Sequence, residues 1–161
     1  MLYAIIWLKI KKEVVKMKVQ RSIEIAAPSD KIWPFLVEPE KILKWFTLLE
    51  KFEYTGEQRS GVGTPFYYEE KSAGRLMKLH YAVTEWVENE RLAFSLTSGP
   101  TKKDDQVWSL EATPSGSRFT LTEDFEMPWG IIGKTICLLV GRQIGKRLEE
   151  ILANLKKMVE A

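Results

Sequence analysis

The chain has 161 residues, 45% of them hydrophobic and 29% charged, and a formal net charge of +2. That is the size and composition of one globular domain, and it excludes long disorder, collagen-like repeats and coiled-coil arrays. One Cys (Cys137) and one His (His80) exclude an internal disulfide framework and a four-ligand zinc site, so no oxidising compartment is needed and a cytoplasmic location is expected. There is no D-x-D-x-D-G run and no cofactor motif, so neither a metal nor a cofactor is expected. Residues 1–16 carry four lysines against Glu13, a net +3, which leaves the remainder at −1. That remainder has no run of three basic residues, which argues against a nucleic-acid partner.

The first 16 residues, MLYAIIWLKIKKEVVK, differ from the rest. Their apolar run is shorter than the roughly 20 residues that span a bilayer, and it lacks the flanks of a signal peptide. Read as a helix, Tyr3, Ile6, Trp7, Ile10, Val14 and Met17 share a face, as in an interfacial membrane helix. Three plainer readings compete with that one: packing on its own domain, packing on a second copy, and upstream sequence before a start at Met17. Residues 17–161 form the expected domain.

Lys18–Ala26 alternates as a half-buried strand, with Arg21 the one break in an apolar face of Val19, Ile23 and Ile25. Ala27-Pro28-Ser29-Asp30 announces a helix carrying Ile32, Trp33, Phe35 and Leu36, with Pro34 limiting it. A second short helix fits Pro39–Phe46. Strands follow at Leu48–Thr55, Thr64–Lys71, Arg75–Val87, Arg91–Thr97, Gln106–Thr113 and Arg118–Met127, separated by turn-rich breaks. Ser98–Asp105 reads as a polar loop. Consecutive strands on short turns predict an antiparallel meander. After Pro128 comes a long helix, in which Ile144, Leu148, Ile151, Leu152, Leu155 and Val159 form one stripe. Its first part, Trp129–Gly141, is apolar nearly all round and punctuated by glycines, the expected gate of a cleft. A sheet with one apolar face must be covered, and this helix is the element large enough to do it.

Several short stretches, in this order and spacing, carry a family likeness. They are Ile25-Ala26-Ala27-Pro28-Ser29-Asp30-Lys31-Ile32-Trp33, Trp45, Gly61-Val62-Gly63, Tyr81-Ala82-Val83-Thr84-Glu85-Trp86 with Arg91-Leu92-Ala93-Phe94, Gly116-Ser117-Arg118-Phe119-Thr120-Leu121, and the closing helix from Gly141 to Glu160. From Met17 to Ala161 the chain resembles the START-like (SRPBCC) superfamily, and within it the polyketide cyclase/dehydrase and lipid-transport group. The resemblance implies an α+β helix-grip fold, with a curved antiparallel sheet of six or seven strands wrapped on the C-terminal helix and two short helices after the first strand. It also implies a cavity for a small hydrophobic or amphipathic, lipid- or polyketide-like ligand. The alternatives are a cyclase- or dehydratase-type enzyme and a chaperone-activator-like interaction protein whose cavity is filled.

Six Trp, five Tyr and seven Phe suit a lined cavity as well as a core. The expected wall comprises Trp45, Phe66, Tyr68, Tyr81, Phe94, Trp108, Phe119 and Phe125 from the sheet side, with Ile136 and Val140 from the helix. Glu123 shares the parity of Phe119, Leu121 and Phe125. A carboxyl on that face meets the cavity with a raised pKa, is turned outward by a local twist or bulge, or pairs with a base such as Arg21 or Arg75. His80 has outward parity, which disfavours catalysis. Gly61-Val62-Gly63 precedes a strand rather than a helix and reads as a turn. Cys137 reads as an inert buried thiol. The oligomeric state is open.

Overall fold

The computed structural model describes residues 15–72, 74–127 and 134–161. Along the chain lie β1 (Val15–Ile25), α1 (Ser29–Val37), α2 (Pro39–Trp45), β2 (Leu49–Tyr54), β3 (Pro65–Ser72), β4 (Arg75–Val87), β5 (Arg91–Ser98), β6 (Asp104–Thr113), β7 (Gly116–Met127) and α3 (Lys134–Val159). The strands make one antiparallel sheet in the order β1-β7-β6-β5-β4-β3-β2. Only β1 leaves chain order. The α1–α2 connection carries the chain from β1 at one edge to β2 at the other, and the meander then returns strand by strand. The result is the expected helix-grip fold, a curved sheet around the C-terminal helix.

Three strands begin earlier than their alternation predicts, β7 by the two residues Gly116 and Ser117 of its hairpin. β1 starts at Val15, because Val15 and Met17 continue the inward parity and face Met127 and Phe125 of β7. β6 starts at Asp104, because Asp104 and Gln106 both point inward and are buried, at 8% and 3% exposure. Polar residues on an inward face hide a strand's beginning from a hydrophobic pattern. Residues 1–14 lie outside the described residues, and with them the amphipathic segment. Pro128–Gly133 also lie outside, and with them the first turn expected of the long helix.

The short helices are held by specific bonds. Pro39 occupies the first turn of α2, where its missing N–H costs nothing. Trp45 Nε1–H donates to the Phe35 carbonyl at 2.7 Å, and Tyr54 O–H donates to the Val37 carbonyl at 2.5 Å, so the connection is pinned to itself and to β2. The β6–β7 hairpin tip passes so close to the end of β1 that a Cβ on Gly116 would collide with the Ile25 carbonyl. Its φ of +151° also disfavours any other residue.

β1 and α3 are joined in three places. Ala26 N–H donates to Glu160 Oε1 and Lys156 Nζ to the Glu24 carbonyl, each at 2.7 Å. Arg21 lies across Gly145 and donates to Glu149 Oε1 at 2.7 Å. This resolves the break in the β1 face. A Cβ at Gly145 would collide with the Arg21 guanidinium, so the glycine is the groove through which an arginine crosses the helix. Leu148, Ile151, Leu152 and Leu155 on the following turns are buried in the core.

Gly61-Val62-Gly63 is a turn, with φ of +83° and +88° at its glycines and the Gly63 N–H bonded to the Val83 carbonyl at 2.8 Å. His80 is exposed on the outer face, its ring 4.7 Å from that of Tyr67. Among the described residues no helix is long and apolar enough to cross a membrane.

Candidate functional site

The space between sheet and helix divides into two unlike halves. The half under α1 and α2 is packed with aromatic rings. Trp45 meets Phe46, Trp108 and Phe119 at centroid distances of 5.3, 5.5 and 6.1 Å. Phe66 stacks on Tyr81 at 5.3 Å and meets Phe94 edge-on at 5.1 Å. The void left there is about 10 Å³, no more than one water needs. The other half is open. A cavity of about 810 Å³ lies between β3, β4, the start of β6, the end of β7 and the stretch of α3 from Val140 to Leu148. Its apolar wall includes Phe46, Leu48, Met77, Leu79, Phe125, Val140, Ile144 and Leu148.

Of the residues expected on a ligand wall, Glu123, Phe125 and Val140 line this cavity. Trp45, Phe66, Tyr68, Tyr81, Phe94, Trp108 and Phe119 are instead at most 4% exposed and belong to the packed core. Their size explains the difference: facing rings from adjacent strands interdigitate and fill the volume they enclose. The side chains of Ile136 and Cys137 lie outside the described ones.

A polar chain runs from the packed half to the open one. Trp108 Nε1–H donates to Gln106 Oε1 at 3.2 Å, and Gln106 Nε2–H to the Tyr68 oxygen at 3.2 Å. Tyr68 O–H donates to the Tyr81 oxygen at 2.8 Å, and Tyr81 O–H to Asp104 Oδ2 at 2.6 Å. The chain ends on the cavity wall, since Asp104 lines it. The other oxygen of Asp104, Oδ1, is buried without a hydrogen-bond partner among the described residues.

Two further carboxyls share this wall, Glu70 of β3 and Glu123 of β7. Each sits at the inward parity of its strand, Glu70 after Phe66 and Tyr68, Glu123 between Leu121 and Phe125. All three are pushed towards the protonated form. Burial raises Glu70 to about 7, with Asp104 adding repulsion and Arg147 partly opposing it. Burial raises Asp104 to about 6, against the pull of the Tyr81 hydroxyl. Burial, then the charges of Asp104 and Glu70, hold Glu123 well above the ordinary carboxyl range. Glu123 does not pair with Arg21, which is engaged with Glu149. Arg75 stands on the same cavity wall, and among the described residues it makes no ion pair with Glu123.

Sequence reasoning missed Glu70, Asp104 and Arg147. The signal for the first two was present: continuing the alternation from Phe66 and Tyr68 reaches Glu70, and running it back from Trp108 through Gln106 reaches Asp104. Arg147 neighbours Ile144 and Leu148 on the stripe's edge, where a long side chain can reach either face.

The cavity is acidic in its floor and basic at its mouth. Asp104, Leu79, Phe125 and Leu148 are buried, whereas Arg75, Leu76 and Lys78 of β4 and Gln143 of α3 are exposed. Such a site can hold an apolar body, orient a polar end and exchange protons near neutral pH.

The polyketide cyclase / dehydrase and lipid transport family matches residues 16–160, so the chain belongs to that family. Among solved structures, a protein from Thermus thermophilus is 20% identical, with a TM-score of 0.73 over 90% of this chain and 97% of its own. A START superfamily protein from Mycobacterium smegmatis is 19% identical, with a TM-score of 0.74 over 89% and 97%. A Staphylococcus aureus protein of unknown function keeps a TM-score of 0.71 at 8% identity, over 92% and 96%. No curated protein matches the chain. The family and the fold support a general role in binding a small ligand.

Proposed function

We propose that this member of the polyketide cyclase / dehydrase and lipid transport family binds and carries a small amphipathic molecule in the cavity between the sheet and α3. The observation that carries the reading is the cavity of about 810 Å³, within the range of roughly 300–1,000 Å³ typical of ligand pockets. The apolar body rests on Met77, Leu79, Phe125, Val140, Ile144 and Leu148, where burial supplies affinity at about 25 cal/mol per Å². The polar end is oriented by the carboxyls or by Arg147. The large aromatics serve this function as a rigid back wall. The cytoplasm is the proposed site of action. A chaperone-activator-like role calls for a filled cavity, which the open volume does not favour.

Native mass spectrometry of protein purified without denaturation tests the reading, together with titration of the neutral fluorescent probe N-phenyl-1-naphthylamine. A discrete adduct lost on denaturation, or saturable probe uptake blocked by Val140→Trp, is expected. A bare chain that also fails to take up the probe defeats the carrier reading.

One observation favours a second reading, a cyclase- or dehydratase-type enzyme on a polyketide-like substrate. Carboxyls poised at about 6 and about 7 beside an apolar cavity suit general acid–base work. Turnover of a poly-β-keto thioester that is lost in Asp104→Asn and Glu123→Gln, with probe binding intact, is what that reading requires.

A further inference from the structure

Three bases line the cavity, Arg75 and Lys78 from β4 and Arg147 from α3, and what they imply for a ligand's polar end rests on the carrier reading above. Arg75 and Lys78 are exposed at the mouth, whereas Arg147 is half-buried. Among the described residues none of the three takes part in an ion pair. That sets Arg147 apart from Arg21, Arg91 and Arg118, each of which holds a glutamate oxygen at 2.7 Å. Glu70 feels the charge of Arg147, yet the two form no ion pair. A guanidinium always keeps its charge, and one partly withdrawn from water calls for an anion beside it.

The surroundings of Arg147 supply the rest of a head-and-tail site. Gln143, one turn earlier on α3, lines the same wall and brings an amide N–H donor. Ile144 and Leu148 flank Arg147 along the helix and, with Phe125 of β7, give the cavity an apolar surface there. At the entrance Arg75 and Lys78 carry positive charge, which draws an anion inward. The acids of the wall do not cancel this, because burial moves Glu70, Asp104 and Glu123 towards their neutral form. The planar fork of one arginine matches a carboxylate, with two oxygens and a single charge. A phosphate dianion would bring a second negative charge towards those acids.

We propose that the cavity selects amphipathic carboxylates, with the head held by Arg147 and Gln143 and the apolar body laid along Phe125, Ile144 and Leu148. Arg75 and Lys78 steer the anion to the mouth without holding it.

The test is displacement of N-phenyl-1-naphthylamine from the full chain at neutral pH by decanoate, decyl phosphate, decanol and decylamine, which share one tail and differ at the head. Decanoate is expected to compete at about tenfold lower concentration than decanol, with decyl phosphate and decylamine behind it. Arg147→Gln should cut the ratio of decanoate to decanol to about twofold. Arg147→Lys, which keeps the charge without the fork, should fall in between, and it gives the readout should the Gln variant not fold. Arg75→Gln combined with Lys78→Gln should keep most of the preference. Equal competition by decanoate and decanol, a lead for decylamine or decyl phosphate, or a decanoate preference that survives substitution of Arg147 overturns the inference and leaves the carrier reading standing. Failure of the probe and all four compounds to bind overturns both.

Discussion

The two halves of the grip use one architecture for opposite ends. Under α1 and α2, inward positions carry Trp45, Phe66, Phe94, Trp108 and Phe119, and the enclosed void is about 10 Å³. Towards Val140–Leu148 of α3, the same strands present Glu70, Asp104 and Glu123 instead, and about 810 Å³ stays open. The difference teaches how a cavity is kept in a small domain. Aromatic rings that face one another close the space between them, because each buried ring gains contact and loses water. Carboxyls do not, because each resists desolvation and repels its neighbours. The helix follows the same division: Leu148, Ile151, Leu152 and Leu155 are buried, while Leu138 and Leu139 are 68% and 59% exposed.

The largest expected break of this contrast is in the packed half. Trp45→Ala removes a fully buried ring and frees the Phe35 carbonyl, and it should cost about 3–5 kcal/mol in urea unfolding. Probe affinity should change little where the variant remains folded. Val140→Trp, on the open half, should do the reverse. It should weaken probe binding by about tenfold or more while moving stability by less than about 1 kcal/mol, because it fills existing space.

The pH dependence separates the halves further. The floor carboxyls are raised in the folded chain, to about 7 for Glu70 and about 6 for Asp104, from ordinary values of 4.5 and 3.8. Between those limits the folded state binds more protons than the unfolded one, so stability falls as pH rises from about 4 to about 7. Denaturation at pH 4.5 and pH 7.5 should show the chain less stable at the higher pH by roughly 1–3 kcal/mol, and Asp104→Asn should flatten the slope. A stability that rises over this interval would place the carboxyls in solvent or in ion pairs.

The smallest effect is expected where β1 crosses α3. Gly145→Ala gains helix propensity of up to about 1 kcal/mol but displaces the Arg21 guanidinium from Glu149, an exposed pair worth about 0–1 kcal/mol. The net change should be near zero in the native background and clearly stabilising in Arg21→Ala, a coupling that a double-mutant cycle reads directly.

Much of the fold was legible along the chain. Period-two alternation located every strand, and prolines 28, 34 and 39 marked the short helices, because both signals are local and follow from which face meets water. The candidate site was less legible. Glu123 was visible because it interrupts Phe119, Leu121 and Phe125. Asp104 was harder to see, because it continues the alternation of Trp108 only through the polar Gln106, and Lys102, Lys103 and Asp105 around it look like any polar loop.

The sequence by itself determined the alternation, the order of the elements and hence the helix-grip architecture, since each rests on residues a few positions apart. Only the tertiary structure decided that Arg21 crosses α3 at Gly145, that the rings form a closed wall, and that three carboxyls from separate strands meet across an open cavity. Those outcomes depend on volumes filled and charges opposed between segments about 15 to 130 residues apart, which no local pattern encodes.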